Sequence, residues 1–487
     1  MIDENVKIHD FFSLEMKVGF VASEKQKIND FAFNMWIFIP NSLDINRFTY
    51  TKEEFYKDLT SHIRLITPSY LLKNIANQQL PPFSFLKSSI DKLIPDPSKV
   101  NMISYEYQLK MYLSIVKSAL REEVSHLAIG TLKHDRDNAI LSYMSNIEKI
   151  AAQFRSLRPM LDTQFISAGL LEYFQFGDEF LSNLIEFHTF RLIHKLKEGN
   201  SESFERTKGI LLAMVDQEVA YKKEKGFLTV EENANKNNQE LVFHLGMLKK
   251  YAESNLYLDV KKGKDGIWVE QILYSLAAGL SMIFATVIAF SFQHKYGFFT
   301  MPMFVALIVS YMLKDRIKEL SRYYFASKFN KRYFDHKIKI STHSHEVGWV
   351  KESMDFISER NLPADILKKR DRSSLLEANN RAGSERVIRY QTLMQLNREN
   401  IDATGEYPAA GINEIFKLNI SNFIQKMDNA EFPLYYPDSD KGYKIVHGEK
   451  IYYLNLILQA KNREQWDLKR YRIVFNRNGI QNIETFD

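Results

Sequence analysis

The 487-residue sequence contains no cysteine. This absence excludes disulfide bonds, thiolate nucleophiles, zinc sites built on cysteine and cysteine-ligated iron–sulfur clusters. The phosphate-binding patterns G-x-x-x-x-G-K-[ST] and G-x-G-x-x-G are also missing, and so are the hydrolase pattern G-x-S-x-G and the metalloprotease pattern H-E-x-x-H. The sequence therefore predicts no cofactor. It leaves open whether the chain is an enzyme, and the missing motifs favour a noncatalytic protein.

A strong excess of one charge is missing as well. The chain has 65 Lys and Arg against 60 Asp and Glu, a net charge of +5. This argues against a nucleic-acid-binding protein with a globally basic surface. Apolar residues make up 45% of the chain, too many for a disordered protein, and the length suffices for two or three domains.

Two long runs without a charged residue lie near the middle of the sequence. Residues 272–292 form the first run, and its 21 residues would span about 30 Å as a helix, the thickness of a membrane core. Residues 298–313 add 16 more after a short connector. Because adjacent runs of this kind are rare in soluble domains, the sequence predicts a two-span transmembrane hairpin over residues 272–313.

The distribution of Lys and Arg predicts the orientation of this hairpin. Three lie in the 20 residues before the first span, seven in the 20 residues after the second, and one in the connector. Positive residues concentrate on the cytoplasmic side. The N-terminus lacks an apolar segment of signal-peptide length. We therefore expect an integral protein of the plasma (inner) membrane with both termini in the cytoplasm.

Small residues recur at helical spacing within both runs, and such stripes let helix backbones approach closely in lipid. We expect packing between the two spans, and the alternative is a contact between copies of the chain in a homo-oligomer. The stripe residues are Ala277, Ser281, Ala285, Ala289, Ala306 and Ser310.

The fold class follows from patterns on either side of the runs. We expect a membrane protein with a mainly α N-terminal part and an α+β C-terminal domain that contains an antiparallel meander. The predicted parts are a small α/β portion (1–100), a helical bundle (101–265), the hairpin (272–313), a basic juxtamembrane stalk (314–345) and the α+β domain (346–487).

Local signals predict particular elements. Thr51 and Glu54 form a capping-box pattern that opens a helix to about residue 62. A helix is predicted around residues 347–360 and a strand at 386–396. Four strands are predicted within residues 443–486, with Asn478-Gly479 as a hairpin turn.

The strongest candidate for site chemistry is a histidine-rich segment beyond the stalk. Two imidazoles on one strand face with a nearby carboxylate would suit zinc or iron. A pH-responsive histidine cluster is an alternative, and a polar loop with exposed or hydrogen-bonded histidines explains the pattern more simply than either. The candidate metal ligands are His336, His343, His345 and Glu346.

Three weaker patterns favour structural explanations. A single E-x-x-H at Glu123 and His126 lacks the second copy that a di-iron bundle needs. The basic and aromatic residues of 469–479 fit a strand with one solvated face better than a nucleic-acid surface. Residues 368–372 carry a charge run typical of a linker.

The stalk is rich in cations that could contact anionic lipid headgroups. The residues concerned are Lys314, Arg316, Lys318, Lys328, Lys331 and Arg332.

These patterns together predict a membrane-anchored cytoplasmic scaffold or sensor that binds an unidentified partner or ligand through its soluble parts. The alternatives are a membrane-bound, metal-dependent enzyme that uses residues 336–346 and an oligomeric channel that disrupts membranes. Apart from the lipid bilayer, the expected partners are a protein or ligand and a second copy of the chain, with nucleic acid disfavoured.

Overall fold

The computed structural model describes the whole chain except residues 1, 130–132, 163–167, 199–201, 233–234, 298–299, 330–332, 343–344, 374–384, 404, 428, 430, 440–441, 463–464 and 487. Helices account for 52% of the chain and strands for 30%, so the predicted mixture of helix and sheet is confirmed. The chain divides into two compact units, one of residues 1–63, 259–406 and 411–487, the other of residues 64–258 and 407–410.

The strands are numbered in chain order. They are β1 (Ile2–Asp10), β2 (Ser13–Val21), β3 (Ile28–Pro40), β4 (Leu59–Leu65), β5 (Asp259–Lys264), β6 (His336–Ser341), β7 (Glu346–Ile357), β8 (Glu385–Asn397), β9 (Gly411–Asn419), β10 (Glu431–Asp438), β11 (Gly442–Glu449), β12 (Tyr452–Asn462), β13 (Gln465–Asn476) and β14 (Gly479–Phe486).

The helices are numbered in the same way. They are α1 (Lys52–Asp58), α2 (Leu72–Ile75), α3 (Phe83–Leu93), α4 (Lys99–Ile129), α5 (Lys133–Arg155), α6 (Arg158–Leu161), α7 (Ala168–Glu198), α8 (Glu202–Lys225), α9 (Asn235–Glu253), α10 (Ile267–Tyr296), α11 (Met301–Phe329), α12 (Ala364–Arg370), α13 (Arg398–Asp402) and α14 (Ser421–Ile424).

The first unit is built on two larger sheets. The eight-stranded sheet has the order β14-β13-β12-β3-β8-β7-β6-β5, and each neighbouring pair is antiparallel. A four-stranded sheet has the order β1-β2-β9-β4, and β10 pairs with β11 in a separate hairpin. β3 can occupy the centre because its run Met35–Ile39 is buried at every position, as expected for a strand covered on both faces.

This pairing differs from the division expected from the sequence. The sequence patterns predict that residues 1–100 and 346–487 belong to different parts of the molecule. In the structure, β3 from the first range lies between β12 and β8 from the second, and β2 pairs with β9. Local sequence patterns identify a strand but carry no information on a partner several hundred residues away.

The second unit is helical, as the periodicity of residues 103–254 predicts. α4 packs against α7 and α9, and α5 packs against α7 and α8. Its core contains stacked rings: the centroids of Tyr112 and Phe154 lie 5.6 Å apart, and those of Phe154 and Phe174 lie 4.8 Å apart. Gly177 permits this packing, because a Cβ there would meet Leu109 and Phe154 at 3.1 Å.

α10 contains the first predicted run and is long and apolar enough to cross a membrane. Only 11% of its most apolar window is buried, which distinguishes it from the core helix of a soluble protein. α10 is the one such helix in the part of the chain that the structure describes. α11 falls short because its helix begins at Met301 and charged residues start at Lys314.

Two local predictions need correction. The capping box at Thr51 and Glu54 is confirmed, but α1 ends at Asp58 and the chain continues as β4. Residues 347–360 do not form a helix, since β7 occupies most of them. Val350, Glu352 and Met354 are buried while the residues between them are partly exposed, which is the period of a strand.

Candidate functional site

A cavity of about 560 Å³ opens beside the β5–β6 edge of the eight-stranded sheet. We call it the base pocket, because it lies where the chain enters α10 and where it leaves α11. Its walls are α1, the end of β5 with the next residue, and the segment that leads into β6. The lining residues are Lys52, Glu53, Tyr56, Lys57, Lys262, Lys264, Asp265, Tyr333, Phe334, Asp335 and His336.

Asp335 is held in place on one wall of the base pocket. Its Oδ1 lies 2.7 Å from Lys52 Nζ, and its Oδ2 accepts hydrogen bonds from the Tyr56 hydroxyl at 3.0 Å and the Met354 amide at 2.9 Å. Burial, followed by the charges of Asp335 and Glu352, raises the pKa of the Tyr56 phenol. Tyr56 therefore stays protonated and acts as a donor.

Glu352 lies behind the pocket lining, with 4% of its surface exposed. The Tyr390 hydroxyl donates a hydrogen bond to its Oε2 at 2.7 Å. Its Oε1 lies 2.6 Å from Lys262 Nζ and 3.1 Å from His336 Nδ1. Removing water from a carboxylate is costly, so these three groups are what stabilise the charge.

His336 connects the pocket wall to Glu352. Burial and then the positive charge of Lys262 lower the pKa of its imidazole, while Glu352 acts in the opposite direction. The ring is therefore neutral near pH 7. Its centroid lies 4.5 Å from that of Tyr56, and the Lys262 ammonium lies 4.6 Å from the Tyr56 ring centroid. A cation and two rings thus form one contact group at the pocket.

A second buried carboxyl, Glu414 on β9, belongs to the same electrostatic group. Its side chain is fully buried, and burial followed by the negative charge of Glu352 raises its pKa to about 8. Burial and the same carboxylate also raise the pKa of Tyr390. Two carboxyls in a dry site rarely ionise together, so Glu414 holds a proton at neutral pH.

This arrangement provides several hydrogen-bond donors, one buried negative charge and aromatic surface around an open cavity. Such a mixture suits binding of a polar organic ligand. The neutral imidazole of His336 next to the Glu352 carboxylate can also accept and release a proton.

The predicted metal ligands are not brought together by the residues that the structure describes. His336 opens β6 opposite Glu352, whereas Glu346 pairs with Ser341 at the far end of that strand. His345 and Glu346 are exposed, and His343 lies outside the described residues. No group of three His, Asp or Glu side chains in the described residues is arranged to hold a metal ion. A metal site here stays a prediction.

The small-residue stripe lies between α10 and α11 over part of its length. Ala277, Ser281, Ala306 and Ser310 are buried, and the Ser310 hydroxyl donates to the carbonyl of Ala285 at 3.2 Å. Ala285 and Ala289 are half-buried.

The predicted headgroup contacts of the stalk lie on or after α11. Arg316 is exposed, and Lys314 and Lys318 are half-buried. The side chain of Lys328, and Lys331 and Arg332 entirely, lie outside the described residues. Their contact with lipid stays a prediction.

Glu352, Tyr390 and Glu414 are not among the residues that the sequence predicts for a site, although the sequence contains a signal for both carboxyls. Glu414 alternates with Ile412 and Phe416, and each of these three residues is buried. Glu352 interrupts β7 in the same way. A carboxyl residue at an inward position of an otherwise apolar strand marks a buried charge that needs a partner.

Comparison of the chain with protein-family descriptions, with curated proteins and with solved structures finds no match, so the assignment of a function rests on the geometry described above.

Proposed function

We propose that the chain is a membrane-anchored sensor or scaffold whose base pocket binds a polar ligand and is mechanically linked to a two-helix anchor. The position of the pocket carries this proposal. Its residues come from β5, which directly precedes α10, and from residues 333–336, which follow α11. A ligand in the pocket would therefore contact the chain both before and after the anchor.

The β5–β6 pairing supports an anchor of two spans rather than one. β3 and β5 precede α10, whereas β6, β7, β8 and β12 follow α11, and all six belong to one sheet. A continuous sheet lies on one side of a membrane, so the chain must cross an even number of times between β5 and β6. If α10 crosses, α11 crosses back.

Coupling would run through the contacts of Glu352. A ligand that attracts Lys262 or His336 draws a stabilising partner away from this buried carboxylate. Because Lys262 is on β5 and His336 is on β6, such a change acts on the strands that hold the anchor. Differential contacts of this kind are what a ligand needs to shift a conformational equilibrium.

The test is ligand capture by the full-length protein in lipid nanodiscs. Metabolites that co-purify are identified by mass spectrometry and titrated back onto protein from which they have been removed. We expect Tyr56→Phe combined with Lys262→Met to weaken binding by at least about tenfold, or 1.4 kcal/mol.

Lys339→Met is the matched control. Lys339 lies on β6 but pairs with Glu346, away from the pocket. Equal binding by wild type, pocket variant and control would refute the base pocket as the ligand site. Weakening by the pocket variant alone supports it.

A further inference from the structure

The β10–β11 hairpin exposes apolar side chains on both of its faces. The register of the pair puts Phe432, Leu434 and Val446 on one face, and Tyr435 and Ile445 on the other. Tyr435 is 70% exposed and Phe432 is 62% exposed. An isolated two-stranded sheet is marginally stable in water and needs a surface to pack against.

The uncovered area is as large as half of a stable interface. Seven large apolar side chains of the hairpin are exposed, namely Phe432, Leu434, Tyr435, Tyr436, Tyr443, Ile445 and Val446. At their observed exposures, and with about 150–250 Å² for a whole aromatic side chain, they leave roughly 800 Å² uncovered. A standard protein interface buries about 800 Å² per partner.

The faces, rather than the free edge of β10, are suited to the contact. Pro433 and Pro437 pair with His447 and Tyr443 within the hairpin. A proline has no amide hydrogen to offer to an added strand, and such residues protect sheet edges from pairing. On the β10 side of the hairpin, side-chain packing is therefore the available mode of association.

The charge pattern favours a second copy over an anionic membrane. In residues 431–438 and 442–449, Lys444 lies 3.6 Å from Asp438, and Glu431 and Glu449 stand opposite each other at the base. The hairpin therefore has no basic excess to attract lipid headgroups. In a two-fold contact the same patch of each copy faces the other. Because the apolar centre of this patch is uncharged, two copies can meet there without electrostatic repulsion.

We propose that the β10–β11 hairpin is a dimerisation arm and that a second copy of this chain covers both of its faces. This inference does not depend on the base pocket.

Cross-linking tests the proposal on the intact protein. Because the chain has no cysteine, Tyr435→Cys and Tyr436→Cys each allow one benzophenone-maleimide to be attached to one face. Protein labelled with ¹⁵N is mixed with unlabelled protein in detergent, reconstituted into nanodiscs and irradiated. We expect cross-linked peptides of mixed isotope composition from both positions, since these form only between copies.

A paired variant measures the contribution of the hairpin. Leu434→Ser with Tyr435→Ser changes one residue on each face, and we expect the dimer dissociation constant to rise by at least about tenfold. The control is Val242→Ser with Phe243→Ser, since these residues of α9 are similarly exposed, at 69% and 72%. Retention of the native far-ultraviolet circular dichroism spectrum shows that each variant is folded.

Three results would overturn the proposal. One is wild type that is monomeric by light scattering at all concentrations tested. Another is quenching of a fluorophore on Cys-substituted position 435 by lipid-borne quenchers, which would identify the bilayer as the covering surface. The third is a rise in the dissociation constant for the α9 control but not for the hairpin variant.

Discussion

Among single residues, Glu414 is a carboxyl group that is completely removed from water. It is fully buried, and after burial the negative charge of Glu352 does most to raise its pKa. A buried acid of this kind is stable while protonated and costly when ionised. Stability should therefore depend on pH through this one side chain.

The sign follows from the raised pKa. The unfolded chain releases the Glu414 proton near pH 4.5, while the folded chain holds it to about pH 8. Between these values the folded state binds more protons, so the free energy of unfolding falls as pH rises. We predict that Glu414→Gln, which imitates the protonated acid, removes this fall and is more stable than wild type above pH 8, by on the order of a few kcal/mol.

Denaturant unfolding of the full chain in detergent, followed by tryptophan fluorescence at about pH 5 and pH 8.5, measures this effect. Glu346→Gln is the control because Glu346 is exposed on a strand of the same sheet. A pH dependence that is the same in wild type and in Glu414→Gln would show that the carboxyl is already ionised.

Sequence patterns predict such residues only in part. The sequence indicates His336 as a candidate metal ligand because it is close to other histidines. Its actual partners, Glu352 and Lys262, lie on neighbouring strands and come close only through sheet register. Distances between strands are a property of tertiary pairing, so no local pattern could have supplied them.

At the scale of elements, the contact between α10 and α11 is the feature most open to test. Ser281 is 1% exposed and Ala277 is fully buried. The Ala285 carbonyl accepts a hydrogen bond from the Ser310 hydroxyl. We predict that Ser281→Leu with Ala285→Leu forces the helices apart and lowers the abundance of the protein in the membrane. Overpacking of this kind costs about 1–3 kcal/mol per site.

Met282→Leu with Ile283→Phe is the matched control, since both residues are more than half exposed. Quantitative immunoblotting of washed membranes gives the abundance of each form. A double stripe variant that is abundant but has lost its oligomeric state would assign the stripe to a contact between copies instead.

Elements whose apolar residues recur at a clear helical or strand spacing can be predicted from the sequence. Elements without such a spacing cannot. The strands of residues 442–486 and the helices of the second unit follow from alternation and from apolar stripes. The sequence of β7 also fits a helix, because Lys351, Glu352 and Ser353 separate its apolar residues at a spacing that is compatible with one helical face. Its burial shows the period of two only once β6 and β8 are beside it.

At the scale of the whole molecule, the shared sheet fixes a relation between the two chain ends. Strands on both sides of the α10–α11 segment belong to one sheet, so we expect both ends to lie on one side of any membrane that α10 crosses. The lysine and arginine counts beside the two apolar runs predict that this side is the cytoplasm. We predict cytoplasmic activity for reporters fused to either terminus and the opposite location for one inserted at residues 293–297.

Reporters at the two termini on opposite sides would be incompatible with the strand pairing itself. Both termini outside the cytoplasm would leave the pairing intact and refute only the inference from charge. The two sources of the prediction can thus be separated by one set of fusions.

During synthesis, β3 leaves the ribosome long before the strands that flank it. Roughly 350 residues separate β3 from β8, and at about 5–20 residues per second the strand waits for roughly 20–70 s. α10 and α11 are made within this interval. If α10 and α11 insert into a membrane as they are made, insertion begins while Phe33, Ile37 and Phe38 still lack their neighbours. We therefore expect chaperones to shield this strand until translation has passed residue 462.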